Sequence, residues 1–425
     1  MMTDHLLVGA LFLVAFWALD PLRLNLDRIG LIKHIPLLLT GAAIALAATG
    51  AALFPRRPAG VGVGPISAWF WPLGVFASGV LAGSLYGRFF AGVENSFLNM
   101  GLCMFLAPAL AWQVGASADP ARWARNFFCA VGSVAACDGL LQWAHFAGQT
   151  YFHGSEFIVI PLAVYCWFGV AAQPARFLGT AFFLSLAVAA HKNTGYLLAL
   201  FCIAYCAFWS IRGRYRSLRN PLARERQAGT AALVAIVLLV TGALFYGLRK
   251  LLLPTGNPEY RLHTYQKALG KFLDAPVFGN FFSGPATERF DLYQVMNSAS
   301  NVLPTHSDPL DILANGGAVY SLLFVYGAWR LIRLMWQAID HTAAAVGDRA
   351  LLPGLHACLA IFISGCIVFS FNPVLTQPNS ALLLWAAAGT GLGLALRARH
   401  ASAQAAGRHR AAPAQARPMP RSRVY

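Results

Sequence analysis

The sequence predicts an all-α, polytopic membrane protein of about twelve transmembrane helices, with one large loop that carries short helices of its own. Three observations carry this. Of 425 residues, 58% are apolar and only 11% are charged, whereas soluble domains carry about 25% charged residues. The apolar residues fall in nearly uncharged runs of roughly 18 or more, each able to cross a hydrocarbon core about 30 Å thick. With no water to satisfy the backbone there, such runs must be helices, and the two-residue alternation of barrel strands is absent. One stretch, residues 257–317, breaks the rhythm as a single long polar interruption among short loops. Long loops inside compact chains are either functional or disordered. This one carries Tyr, Phe, Leu and Val throughout, so it can fold and pack.

The spans are expected near 5–21, 32–54, 66–86, 89–113, 124–147, 156–172, 175–191, 194–211, 228–248, 309–334, 353–371 and 379–396. The first follows a poor basic region, MMTDH, and is followed by Asp20-Pro21 rather than a small-residue cleavage site. It reads as a transmembrane helix, not a removed signal peptide. The sixth to eighth are short, and 175–211 fits a re-entrant pair as well as two crossings. This organises the chain as helices one to nine over 1–248, the loop 249–308, helices ten to twelve over 309–396, and a basic tail 397–425. From Ala401 onward the tail is poor in large apolar residues and is expected to be disordered. The eight cysteines all lie inside apolar runs and form no CxxC, so they read as buried free thiols.

The net charge of +16 sits in short loops and the tail. That is how membrane proteins set their orientation, not the signature of a nucleic-acid binder. The loop 212–227, with six arginines, and the basic tail should face the cytoplasm. An even number of helices between them agrees. Arg56–Arg57, Arg122–Arg125 and Arg176 then fall inside as well. The loop 249–308 falls outside, with 20–31, 151–155, the Lys192 turn and 372–378. The outer face still carries Arg23, Arg28, Arg88, Lys192, Arg249, Arg261 and Arg289. Positive charge on the side that topology does not ask for points to an anionic ligand.

Within the loop, Glu259 to Leu273 places Tyr260, Leu262, Ala268, Leu269 and Phe272 at near-helical spacing, with Arg261 and Tyr265 one turn apart. This is an amphipathic helix suited to the membrane surface. Arg261 there is either a headgroup anchor or an anion contact, and His263, Lys267, Lys271 and Arg289 add positive charge. Pro276 and Gly279 break the helix, and 279–284 reads as a flexible polar turn. His306 stands before Ser307 and Asp308, either of which can cap the next helix, and Pro309 suits its first turn. A histidine at a helix N-terminus is held neutral by the dipole. It serves either as a cap or as a general base. Asp311 and Asn315 lie one turn apart inside the following apolar run, and Asp138 and Glu156 are further intramembrane carboxylates. Lys192 is either a turn lysine or a phosphate contact. GxxxxGK[ST], HExxH and GxSxG are all absent, as is any acidic pair in a metal-binding context. The chain is therefore expected to use no cofactor, metal or nucleotide hydrolysis.

His306-Ser-Asp-Pro-Leu-Asp-Ile-Leu-Ala-Asn-Gly-Gly resembles the signature of the bacterial O-antigen ligase and polymerase superfamily. There a His followed by Asn or Ser opens a helix, with a Leu four residues on and a Gly eleven on, here Leu310 and Gly317. Upstream, Arg261, the aromatic Tyr265, Ala268-Leu269, Pro276 and Gly279 match the family's order of Arg, aromatic, Ala-Leu, Pro and Gly. Motif support covers roughly 150–335. The chain departs from the pattern at Lys192-Asn193-Thr194, where the family carries Ser-Arg.

The resemblance implies an inner-membrane glycosyltransferase that moves a glycan from an undecaprenyl pyrophosphate carrier at the periplasmic face. The acceptor is lipid A–core in a ligase, or another hydroxyl such as a second carrier-linked glycan in an O-antigen or exopolysaccharide polymerase. Some members glycosylate a protein. It implies His306 as base and Arg261 as the main pyrophosphate contact. Lys192, Arg289 and Arg88 would assist, with Tyr265 and Asp308 against the substrate. The rival class is a transporter of an anionic lipid or glycan, which would bind near the midplane and often shows inverted repeats. No repeat is visible here. A non-catalytic scaffold would leave Arg261 and His306 on one loop unexplained.

Overall fold

A computed structural model describes residues 12–13, 15–19, 38, 41–42, 45, 63–92, 97–145, 156–189, 193–216, 258–284, 307–344, 349–370 and 374–411. Among these residues there is no strand. Eleven helices run α1 (Val63–Phe90), α2 (Leu98–Met104), α3 (Leu106–Ala116), α4 (Pro120–His145), α5 (Glu156–Gly169), α6 (Gln173–Ala189), α7 (Asn193–Arg216), α8 (Pro258–Asp274), α9 (Asp308–Ala344), α10 (Leu352–Phe369) and α11 (Pro378–Ala411). Six are long and apolar enough to cross a membrane: α1, the α2–α3 pair, α7, α9, α10 and α11. The protein is thus an all-helical, multi-pass membrane protein.

The expectation of twelve spans is met in part. Those near 5–21, 32–54 and 228–248 lie outside the described residues, apart from isolated helical positions in the first two. Helices occupy 120–145, 156–169 and 173–189 as expected. The first of them carries Arg122, Arg125 and Asp138, and the other two have 14 and 17 residues. None reaches the length and apolarity of the six. The expected span 89–113 is instead the end of α1 followed by two helices that break at Phe105. The 175–211 segment is two separate helices, α6 and α7. In the tail, α11 continues to Ala411, because the Ala-rich stretch after His400 has strong helix propensity.

At the centre stands α11, almost wholly buried over its apolar length. Its Gly389 and Gly393 let the backbone of α3 approach at Ala107 and Ala111, the close small-residue packing that joins helices where lipid gives no hydrophobic drive. Around it, α10 packs on α5, α5 on α6 and α7, and α9 on α1, α10 and α11. Of the eight free cysteines, four are buried and Cys129 and Cys137 face outward.

Long-range contacts sort the helix ends. Ser364 near the end of α10 donates to the carbonyl of Phe157 at the start of α5, and Asp308 at the start of α9 meets residues 374–376 before α11. The end of α1, the starts of α5, α7 and α9, and the α10–α11 connection therefore share one end. This is the grouping that the distribution of Lys and Arg predicts. At the opposite end Arg330 donates to the Ala68 carbonyl at 2.6 Å and lies over Trp69, with Arg399 on the same ring and Arg333 over Trp329. Arg and Trp are gathered in this way at membrane–water interfaces. A hydrocarbon core ~30 Å thick takes about twenty residues of helix, a length that reaches from Arg330 back to Leu310.

That opposite end is also locked by Arg212 of α7. Its guanidinium makes a paired contact with Asp340 of α9, at 3.2 and 2.8 Å, and lies against Phe208, Trp209 and Trp336. Both side chains keep about a quarter of their surface in contact with solvent, at 24% and 22%. Arg212→Ala is expected to cost about 1–2 kcal/mol, read as a lower unfolding midpoint in detergent. Lys in its place should recover only part, since it cannot form the fork. Beside it, His356 stacks on Phe168 at 3.9 Å, and the Tyr205 hydroxyl lies 3.1 Å from Nδ1. The sequence singled out neither residue.

Candidate functional site

The site is built from α8, the turn that follows it, and the first third of α9. α8 begins at Pro258, which suits a first turn, and ends two residues before Pro276. Its Thr264 and Ala268 are buried, while Leu269 and Leu273 are exposed, so one face packs on α9 and another points away from the protein. Arg261 occupies the same register as Thr264, Ala268 and Lys271, at spacings of three, four and three residues. The sequence expectation of an amphipathic helix over 259–273 agrees with this element.

The following segment, 275–284, is not the flexible polar turn the sequence suggests. It is a packed wedge. Phe282 is fully buried and meets Phe76 and Phe97 edge-on, with ring centroids 5.8 and 5.3 Å apart. Tyr320 of α9 closes the cluster at 5.5 Å. The polar reading counted Asn280, Ser283 and the glycines, but the aromatic pair decides where the segment goes. Phe281 and Phe282 both adopt positive φ, 55° and 58°. Each costs about 1–2 kcal/mol in a residue with a Cβ. The conformation persists because Phe282 N donates to the Asn315 carbonyl at 3.2 Å and to its own neighbour Asn280 at 3.1 Å.

Two surfaces receive the wedge. On α1, Gly83 and Gly87 face the carbonyl groups of Phe281 and Ser283 so closely that no side chain fits, and Gly79 faces the Tyr320 ring. On α9 the helix itself opens. Gly317 has φ 63° and ψ −168°, a conformation that breaks the helical ladder and is almost confined to glycine. The amides freed by the break, Ala318 and Val319, donate to the carbonyls of Pro276 and Val277 at 2.9 and 3.1 Å. Gly279, at φ +60°, lies directly against Asn315 and Gly316. Pro276, Gly279 and Gly317, far apart in sequence, therefore form one joint.

The start of α9 is anchored separately. Ser307 precedes the helix, and its carbonyl accepts the amides of Leu310 and Asp311. Asp308 does not cap its own helix. It is fully buried, and one carboxylate oxygen accepts the amides of Val374 and Leu375 at 2.7 and 2.8 Å, with the Thr376 hydroxyl 3.5 Å from the other. Lys271 donates to Asn315 Oδ1.

The sequence-predicted site residues are placed as follows. Arg261 lies on α8, with its backbone described. Tyr265 is half-buried one turn later, and Arg88 is exposed in the last turn of α1, beyond Gly87. Asp308 is committed to the α10–α11 connection. His306, Lys192 and Arg289 lie outside the described residues, as does the side chain of Arg261. The structure brings the elements bearing Arg88, Arg261 and Asp308 to one end of the bundle. Asp138 is buried in α4, a different helix, which packs on α3, α5, α10 and α11. What sequence reasoning missed is the glycine stripe of α1. Its four-residue spacing was visible, but its partner, the Phe281–Ser283 backbone far along the chain, was not. No protein-family model matches the chain, and no curated protein matches it either.

Proposed function

We propose that the protein is a glycosyltransferase of the O-antigen ligase type. It moves a glycan from undecaprenyl pyrophosphate to a hydroxyl acceptor at the periplasmic face of the inner membrane, with its C-terminus in the cytoplasm. The observation that supports this most is the joint between the two motif segments. Pro276, Val277 and Phe282, which follow the Arg261 helix, are joined to Ala318, Val319 and Asn315 of the His306 segment by three backbone hydrogen bonds. A loop serving only as a tether has no use for such a fixed relation between a cation-bearing helix and a histidine-led helix start. In this reading the membrane boundary falls near Leu310, the level at which a pyrophosphate on a lipid carrier sits, and the joint lies about two helical turns inward from it.

In this reading the acceptor oxygen attacks the sugar C1 and His306 takes its proton. The bond from C1 to the pyrophosphate oxygen breaks, and the carrier leaves as its pyrophosphate. One displacement inverts the anomeric centre. Arg261, helped by Lys192, Arg289 and Arg88, stabilises the charge that grows on the leaving group. Each cation aimed at such charge is worth about 3 kcal/mol. Tyr265, one turn from Arg261, is placed to flank the donor. Asp308, whose carboxylate is occupied by backbone amides, acts by holding the segment that carries His306 rather than by touching substrate.

The test uses purified wild type and His306→Ala with undecaprenyl pyrophosphate-linked glycan and a panel of acceptors, without metal or ATP. Wild type should release carrier pyrophosphate and join glycan to an acceptor. The variant should be slower by at least about a hundredfold, the lower range for a lost general base. Equal rates would remove His306 from the role. A wild type that turns over with no acceptor would overturn the reading altogether. The acceptor that is used separates ligation from polymerisation.

A further inference from the structure

Lys271 reads from sequence as one more loop cation available to an anion. Its surroundings assign it elsewhere. It stands in the last turn of α8, half-buried, and its ammonium donates to Asn315 Oδ1. Asn315 Nδ2 in turn donates to the Asp311 carbonyl at 2.8 Å. Asn315 and Asp311 are each only 5% exposed. Burial draws Lys271 below the usual lysine range while the Asp311 carboxylate acts in the opposite direction, so the two charges lie within electrostatic reach. Above them, a Cβ on Gly284 would stand 3.6 Å from Lys271 Nζ and 2.7 Å from the Asn280 amide. Gly284, the last described residue of the wedge, therefore lies against the lysine.

The location gains meaning from Gly317. A helix broken there has no continuous ladder joining residues 308–316 to the rest of α9, so this half-helix depends on ties to its neighbours. Asp308 ties its beginning to residues 374–375, and the Asn315 carbonyl ties its end to Phe282. Lys271 ties the side chain of Asn315 to α8, the helix that carries Arg261.

We propose that Lys271 is a positioning residue for the transfer reaction: joined to Asn315, it fixes the half-helix that begins two residues after His306 relative to the helix that bears Arg261. The part of this that concerns catalysis rests on the transfer function proposed above; the part that concerns the half-helix does not.

The experiment pairs amide hydrogen exchange over residues 308–316 with transfer kinetics, on full-length protein in detergent, for Lys271→Met, Lys271→Arg, Asn315→Leu and the Lys271→Met/Asn315→Leu double variant. Lys271→Met removes the donor to Asn315. It should speed exchange of the half-helix about tenfold or more and lower kcat about tenfold, with KM nearly unchanged. Lys271→Arg keeps a cationic donor and should stay within about threefold of wild type. Both changes remove the same tie, so the double variant should stay within about threefold of the more impaired single variant. Wild-type exchange in Lys271→Met overturns the proposal, and if activity is nonetheless lost, Lys271 touches substrate instead. Single-variant effects that multiply in the double variant overturn it too. Should Lys271→Met not fold, Asn315→Leu decides, since wild-type protection of the half-helix there would contradict the tie. If wild type transfers no glycan at all, the transfer reading fails while the exchange data still decide whether the tie exists.

Discussion

Asp308→Ala should lose about 4 kcal/mol of stability and most transfer activity. The side chain is fully buried, and one of its oxygens accepts two backbone amides, Val374 and Leu375, which are themselves buried. Alanine removes the acceptor without supplying water. Each amide left unpaired costs about 1–3 kcal/mol, and near the hydrocarbon boundary the upper half of that range applies. Asparagine gives the control. Its carbonyl oxygen can take both amides and its NH2 can donate to Thr376, so Asp308→Asn should lose only about 1 kcal/mol. Thermal unfolding in detergent measures both. Transfer should be read well below the unfolding midpoint. Asp308→Ala is then expected to lose activity while still folded, because the anchor lies two residues from His306. An Ala variant as stable as Asn would show that the amides find other partners and that the carboxylate is dispensable.

Gly317→Ala is the second large effect. At φ 63° and ψ −168° the backbone is in a region nearly closed to residues with a Cβ. The new methyl would also stand 2.6 Å from the backbone of Val277 and 2.7 Å from the Gly279 amide. The conformational cost of about 1–3 kcal/mol adds to a clash that flexible side chains cannot absorb, because the atoms concerned are backbone. A total near 4 kcal/mol is expected, or a shift of the wedge out of its joint. Exposure of the Phe282 cluster would report that shift through faster proteolysis at 275–284. Gly270→Ala is the matched control. It lies in α8 with nothing within 4 Å of a Cβ, and it should gain up to about 1 kcal/mol from helix propensity. If both substitutions behave alike, the break at Gly317 is not required for the fold.

Much of this was legible in the sequence, and the reasons differ by feature. Helices α7, α9, α10 and α11 are long apolar runs with sharp polar borders, and a period-free run of that length has only one solution in lipid. α8 was legible from its spacing, since apolar residues three and four apart need no knowledge of a partner. The grouping of the helix ends followed from Arg and Lys alone. The wedge was not legible, because Phe281 and Phe282 look like any loop aromatics until α1 supplies glycines against which their backbone can lie. Asp308 was read as a cap for its own helix, and the family resemblance set it against the substrate. Its true partners, the amides of Val374 and Leu375, carry no side-chain signature and stand 66 and 67 residues away. Asn315 was visible as a polar residue in an apolar run, but its bond to Lys271 depends on a fold in which the loop returns to the helix that follows it.

The glycine stripe of α1 also bears on how the protein is made. Gly83 and Gly87 are translated nearly 200 residues before the Phe281 and Ser283 carbonyls they receive. At roughly 10 residues per second that is about 20 s of synthesis. During that interval α1 sits in the membrane with a backbone groove that nothing in the nascent chain can fill. Only after the wedge arrives and α9 follows it can the groove close. A chain truncated anywhere before residue 320 would insert its early helices yet present an open seam to the bilayer. Closure of that seam is thus confined to the last quarter of translation.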